Sequence, residues 1–346
     1  MTTVASIPMR TIGPIKITGS VLNEEVRVPL ATYESPLWPS TNRGATVSRL
    51  SQGIQVVIVE DCMTRSVLVE APDAEYGHRM ISALHSYRGE MEEVAKGHSR
   101  FVNLENWNTQ LVGNLIYIRF SMSTGDASGH NMTTQAAELL LNWILMRFPK
   151  LHYVSISGNY CTDKKASAVN GILGRGKYVV AELLVPRAVC EQRLKTTPEK
   201  IVDLNIKKNL IGTLLAGGIR SANAHFANML LGIYLATGQD AANIIEGSQG
   251  MVHTEVRQGD LYFSVTLPNV IVGTVGNGKH LAFVQENLKS MGCLEDRKPG
   301  LNARRLAAIV GATVLCGEIS LLAAQTNPGE LMSSHCRLER TTKVLE

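Results

Sequence analysis

The chain has 346 residues, 45% apolar and 18% charged, enough to bury the core of two domains or of one large domain with an insertion. A net charge of +4 is too small to suggest a nucleic-acid surface, and aromatics at 5% are too sparse for a base-stacking platform. The six cysteines (Cys62, Cys161, Cys190, Cys293, Cys316, Cys336) are scattered, with no CxxC or Cys/His pair at metal-ligand spacing, so reduced thiols and no structural metal are expected.

Met1-Thr-Thr-Val-Ala-Ser-Ile-Pro8 has no basic start followed by an apolar stretch, so the chain reads as soluble and cytoplasmic, without a secretory signal. Residues 8–31 carry Pro8, Gly13, Pro14, Gly19 and Pro29 among short β-type runs, which predicts irregular strand-and-turn structure. A helix is expected over 45–50, capped by Thr41 or Asn42. Segments 56–60 and 67–70 read as strands, 74–95 as helix and 115–122 as a strong strand. A turn over 125–132 opens a helix over 133–148, and 154–157 returns as a strand. Residues 66–156 therefore read β-α-β-α-β with strands at both ends, as expected of a unit inserted into a larger domain. Beyond it, 178–186 and 261–267 read as strands, and 207–237 as a long helical region dense in Gly and Ala. The helix expected over 301–325 is very apolar. Glu318, Gly311 and Gly317 interrupt it, so it reads as a buried core helix rather than a membrane span.

The segment richest in chemistry is Ser157-Gly-Asn-Tyr-Cys-Thr-Asp163-Lys164-Lys165, between a strand and a helix. It offers an anion several donors and two positive charges, although a solvated turn has the same composition. Gly273-Thr-Val-Gly276-Asn-Gly278 has the wrong order of glycines for G-x-G-x-x-G, so a Rossmann fingerprint is absent. Asp240 follows the Ala/Gly-rich helical region. It is a plain cap unless it lies near Lys164, where each group would shift the other's pKa. Glu34, among apolar and small residues, is either a proton donor with raised pKa or an ordinary loop carboxylate. Arg43 and Arg65 are suited to gripping a carboxylate or phosphate, and His335 follows a helix near the C-terminus.

Taken in order, these segments resemble the 3-hydroxy-3-methylglutaryl-CoA (HMG-CoA) reductase family. The resemblance is carried by Ile7-Pro8 with Gly13-Pro14, Val28-Pro-Leu-Ala-Thr32, Ser40-Thr-Asn-Arg-Gly44, Asp61-Cys-Met-Thr-Arg65 and Gly125-Asp-Ala127. It continues through Ser157 to Lys165, Asn223-Ala-His225, Gly238-Gln-Asp240, Gly273-Thr-Val-Gly276 and Ser334-His335. The form Asn159-Tyr-Cys-Thr-Asp-Lys-Lys165 resembles the eukaryote-type, class I members. The resemblance implies an α+β fold: a large mixed helix/sheet domain over 1–65 and 157–346 that holds substrate and CoA. Residues 66–156 would form an inserted small, ferredoxin-like, non-Rossmann nucleotide domain.

It further implies NADPH-dependent reduction of HMG-CoA to mevalonate and CoA, by a homodimer or dimer of dimers with interfacial active sites, binding neither membrane nor nucleic acid. Lys164 would stabilise the oxyanion, Asp240 would tune Lys164 and link it to Glu34, Glu34 would supply a proton, and His335 would protonate the departing thiolate. Arg65, Ser157, Asp163, Lys165, Lys208, His225 and Asn228 would hold the hydroxymethylglutaryl part. Ser40, Asn42 and Arg43 would lie near CoA, with Ser99, Arg100, Asp126 and Asn131 near NADPH. The chain departs from the family pattern at Tyr33 and Ser35-Pro36 around Glu34, and at Ser128, Ala166, Glu246 and Glu330. Those departures leave open a same-fold reductase on a related acyl-CoA, or a non-catalytic ligand-binding homologue.

Overall fold

The computed structural model describes residues 5–333 and Cys336. Its strands are β1 (Met9–Thr18), β2 (Glu24–Ala31), β3 (Ile54–Glu70), β4 (Asn103–Val112), β5 (Leu115–Ser123), β6 (His152–Ser155), β7 (Gly176–Val185), β8 (Ser221–Ala222), β9 (Gly250–Arg257) and β10 (Asp260–Val270). The main path runs β2-β1-β3-β7-β10-β9-β8, mixed in direction, with β4, β5 and β6 reached from it through β3.

β3 is the hinge of this arrangement. The sequence predicts two strands separated by the polar stretch around Asp61, but one 17-residue strand forms. Gln55 to Cys62 pair with β7, and Met63 to Glu70 pair with β5. The backbone changes partner without a break, so Asp61-Cys-Met-Thr-Arg65 sits where one sheet hands over to the other.

Beyond the handover the order is β6-β3-β5-β4, antiparallel throughout. Helices Ala74–Leu84, Arg88–Ala95 and His130–Arg147 complete a β-α-β-β-α-β unit with its own core of Val67, Val69, Ile118, Phe120, Leu140 and Ile144, among others. The sequence reading lacks β4. That strand is at the edge of its sheet, and Asn103-Leu-Glu-Asn-Trp-Asn carries too many amides and acids to advertise a strand.

The other core surrounds helix Leu301–Gln325, which runs as the sequence predicts and is buried on nearly every side by β3, β7, β10 and helices Leu37–Leu50 and Phe226–Ala236. Three expectations need correction. Residues 8–31 form a regular antiparallel hairpin with one irregularity between Ile12 and Ile15. The helix expected at 45 starts at Leu37, so Thr41 and Asn42 lie inside it. Pro39 is tolerated because a first-turn N–H has no helical acceptor. The 207–237 region is not one helix: Gly217 and Gly218 break it, and β8 intervenes before helix Phe226–Ala236 begins.

Helices Leu37–Leu50 and Leu301–Gln325 touch at Gly44, where a Cβ would overlap the carbonyl oxygen of Cys316 and stand 2.5 Å from its Cα. Gly44→Ala is expected to push these helices apart and to cost about 1–3 kcal/mol. A urea-unfolding midpoint equal to the wild type's would contradict this contact.

Candidate functional site

The loop after β6 holds three non-glycine residues in the left-handed region: Asn159 (φ 57°), Thr162 (φ 42°) and Lys164 (φ 54°). Lys164 Nζ meets Asp240 Oδ2 at 2.8 Å, and Asp240 Oδ1 accepts from the Ala242 N–H at 3.1 Å. The hydrogen bond to Asp240 raises the Lys164 pKa above the ordinary lysine value, against a smaller opposing effect of burial. Burial pushes Asp240 up, but the Lys164 hydrogen bond and the Ala242 N–H outweigh it, so its pKa is lowered.

Behind the loop lies a buried ion cluster. Arg175, just before β7 and only 2% exposed, pairs with Asp163 at 3.0 Å and with Glu246 at 2.9 Å. Glu246 Oε1 also accepts from the Lys164 backbone N–H at 3.1 Å and from Asn243 Nδ2 at 3.0 Å. His130, the first residue of helix His130–Arg147, places Nε2 3.8 Å from Asp163 Oδ1. Burial, then Arg175, depress its pKa to about 4, so this imidazole is neutral at pH 7. These groups open onto a cleft of about 670 Å³, lined also by Arg65, Asn131 and Lys279. Among the described residues, buried Arg65 Nε and His130 Nε2 have no hydrogen-bond partner, which leaves hydrogen-bonding capacity for a ligand.

A second cleft, of about 630 Å³, is lined by Glu34, Ser40, Arg43, His225, Asn228 and Glu330. Asn228 Nδ2 donates to Glu34 Oε2 at 2.9 Å. Glu318, wholly buried in the middle of helix Leu301–Gln325, accepts from the N–H groups of Ala224 (2.9 Å) and His225 (2.6 Å) and so fixes the backbone that presents His225. Burial lowers the Lys208 pKa, with Glu318 opposing. Arg43 donates to Ser320 Oγ at 2.9 Å and to Glu330 Oε1 at 2.8 Å, and Ser40 Oγ meets Ser320 Oγ at 3.0 Å. A third cleft, of about 790 Å³, lies between the small unit and the start of helix Leu301–Gln325. Arg100, Phe101 and Arg304 line it, as do Glu60, Asp61 and Glu105.

The family model for hydroxymethylglutaryl-coenzyme A reductase matches residues 1–340. The chain belongs to the HMG-CoA reductase family. It is 44% identical over 324 residues to the 3-hydroxy-3-methylglutaryl-coenzyme A reductase of Pyrococcus abyssi, covering 93% of this chain and 79% of that protein. It is 40% identical to reductase 2 of Arabidopsis thaliana, covering 97% of this chain and 60% of that one. The fold is similar to that of a class II HMG-CoA reductase from Streptococcus pneumoniae solved bound to NADPH, with a TM-score of 0.75 at 17% identity, covering 94% of this chain and 86% of that one.

Within this HMG-CoA reductase fold, Lys164, Asp240, Asp163, Arg65 and Asn131 share one cleft, and Glu34, His225, Asn228, Ser40 and Arg43 another. The expected link from Asp240 to Glu34 is not made among the described residues: the two carboxylates line different clefts, Glu34 held by Asn228 and Asp240 by Lys164. Lys165 is exposed and donates to the Asp163 carbonyl at 3.1 Å, and Ser157 bonds to Ser155; neither lines the lysine cleft. Asn42 Oδ1 accepts from the Gly13 N–H at 3.0 Å and braces β1.

Asp126 is spent as a cap: its oxygens accept from Gly300 and Ala303 N–H, both at 2.9 Å, at the start of helix Leu301–Gln325. Ser99 Oγ accepts from the Phe101 N–H at 3.3 Å, while Arg100 faces the third cleft. His335 lies outside the described residues. Sequence reasoning missed roles for His130, Arg175, Glu246 and Glu318. Lone acids within apolar stretches signal the last two, and nothing in the local pattern signals His130.

Replacing Asp240 removes the largest influence holding Lys164 protonated and leaves burial opposed only by the charges of Asp163 and Glu246. Asp240→Asn is therefore expected to lower the Lys164 pKa, so that the ammonium is lost at lower pH. This is read from the lysine ¹³Cε resonance against pH, and an unmoved titration would contradict the pairing.

Proposed function

We propose that the chain catalyses the reductive deacylation of HMG-CoA to mevalonate and CoA with two NADPH, feeding isoprenoid synthesis by the mevalonate route in the cytoplasm. One observation carries the reading: a lysine held protonated by a carboxylate, in a cleft where buried donors lack protein partners. The residues present fit a phosphorylated nicotinamide nucleotide. Arg100 and Arg304 face the third cleft, the Arg100 guanidinium lies 4.8 Å from the Phe101 ring, and Lys177 neutralises Asp61 at 2.9 Å. We assign residues 66–156 to that cofactor, and prefer NADPH because an arginine suits a 2′-phosphate.

NADPH, when bound, supplies the two hydrides. The Lys164 ammonium donates to the thioester oxygen and stabilises the charge that builds there. Asp240 keeps this donor protonated and oriented. Arg65 offers its buried guanidinium to the substrate carboxylate. When the C–S bond breaks, His335 protonates the CoA thiolate. Glu34 supplies the second proton as the aldehyde oxygen becomes the alcohol, so two protons and two hydrides balance the product and free thiol. Ser40 and Arg43 lie toward CoA, with Arg43 exchanging Glu330 for a phosphate.

A proton donor must come within hydrogen-bond reach of the reacting oxygen, and Glu34 lines a different cleft from Lys164. We infer that a second copy brings Glu34, His225 and Asn228 to the lysine cleft of the first. An apolar face supports such an interface: Leu214 and Leu215 are 80% and 84% exposed beside Ile211. We assign the chain to class I, supported by the form of the Asn159 to Lys165 segment and by 40% identity to the Arabidopsis protein.

Purified protein given HMG-CoA and NADPH is expected to show falling nicotinamide absorbance, and Lys164→Ala to lower kcat by about 10²–10³-fold or more with an unchanged circular-dichroism spectrum. No oxidation by folded wild-type protein, or a near-normal rate in the variant, would contradict the reading.

A further inference from the structure

Lys164 has a backbone that a lysine does not adopt unaided. Its φ of 54° belongs to the left-handed region, and Thr162, two residues earlier, is strained in the same sense. Such a conformation persists only where the surroundings over-determine it. Here the holding group is Glu246, wholly buried in the short helix Ile244–Gly247. Its Oε1 takes the Lys164 N–H at 3.1 Å and Arg175 Nη1 at 2.9 Å, and Arg175 Nη2 reaches Asp163 at 3.0 Å. One carboxylate thus grips the loop at two successive residues, directly at 164 and through Arg175 at 163. The same stretch of chain carries Asp240, which holds the other end of the lysine.

A neutral acceptor would be enough to close a turn. A buried carboxylate is costly, and Glu246 Oε2 has no hydrogen-bond partner among the described residues.

We propose that Glu246 is a positioning residue for Lys164: it fixes the left-handed turn that aims the ammonium at Asp240, and it acts through the lysine without touching substrate. The inference rests on Lys164 being the lysine that serves the reaction. The titratable and charged groups facing Lys164 are Asp240, Asp163, Glu246 and His130, with Arg65, Arg175 and Lys279 on the same cleft.

Two variants separate positioning from packing. Glu246→Gln keeps an oxygen for the Lys164 N–H and removes the charge, whereas Glu246→Ala removes both. Turnover is expected to fall by about 10²-fold in E246A and less in E246Q, with the KM for HMG-CoA little changed, because displacing a reacting group costs mainly kcat. The basic limb of the kcat profile is expected to move toward neutral pH by about 1 unit as Lys164 loses its hold on Asp240. The pH dependence of Lys164 acylation by an amine reagent, read by peptide mass spectrometry, gives the same constant without turnover. Folded E246Q with an unmoved Lys164 labelling constant would overturn the proposal whatever the wild-type rate. A wild type that fails to oxidise NADPH, while E246Q shifts the labelling constant, would refute the assigned reaction and leave the positioning role standing.

Discussion

The pairing of Lys164 with Asp240 is the interaction around which the rest of the site is arranged. As a contribution to stability it is minor, because the two side chains are 38% and 47% exposed and water screens them. Its value lies in charge state and direction. It keeps an ammonium protonated on a loop that also opens to a ligand, and it does so only because the loop backbone is held in an unfavourable turn. The rigidity comes from behind, where Arg175 and Glu246 are buried and Asp163 is drawn in. Exposed chemistry in front of a buried ionic brace is a sensible division, since the front must exchange protein contacts for substrate contacts and the back must not move.

Helix Leu301–Gln325 connects this arrangement to the other clefts. Asp126 of the small unit caps its first turn, near the cleft lined by Arg100 and Arg304. In its middle, Glu318 fixes the His225 backbone, and two residues on Ser320 receives Arg43 and Ser40. A single buried helix therefore bears on the cofactor, acyl and CoA regions assigned above, and Gly44 lets its neighbour approach closely enough to bring Ser40 and Arg43 to it.

Where apolar residues are dense along one segment, the sequence is readable. The 301–325 helix, β5 and β7 follow from apolar content, and the left-handed Lys164 loop coincides with the segment that stood out for its charges. Where tertiary pairing overrides local pattern, it is not. The polar residues around Asp61 read as a break but lie in a strand satisfied by β7 and then β5, and the amide-rich β4 is stabilised by its neighbour rather than by its composition. At the site, residue types singled out Lys164, Asp240 and Arg65, which the fold brings to one cleft. Motif position could not show that Asn42 braces β1, that Asp126 caps helix Leu301–Gln325 or that Lys165 is exposed, because each depends on a distant element. The supporting Glu246 and Arg175 could not be paired from sequence, because 71 residues separate them.

In the proposed arrangement each chain carries two incomplete halves, one around Lys164 and one around Glu34, which function when two copies meet. Complementation tests it most directly. Glu34→Ala and Lys164→Ala chains, tagged differently and co-expressed, are expected to be inactive as separate homo-oligomers and to recover a measurable fraction of wild-type turnover in the mixed oligomer isolated through both tags. A mixed oligomer that assembles and remains as inactive as its parents would contradict the account.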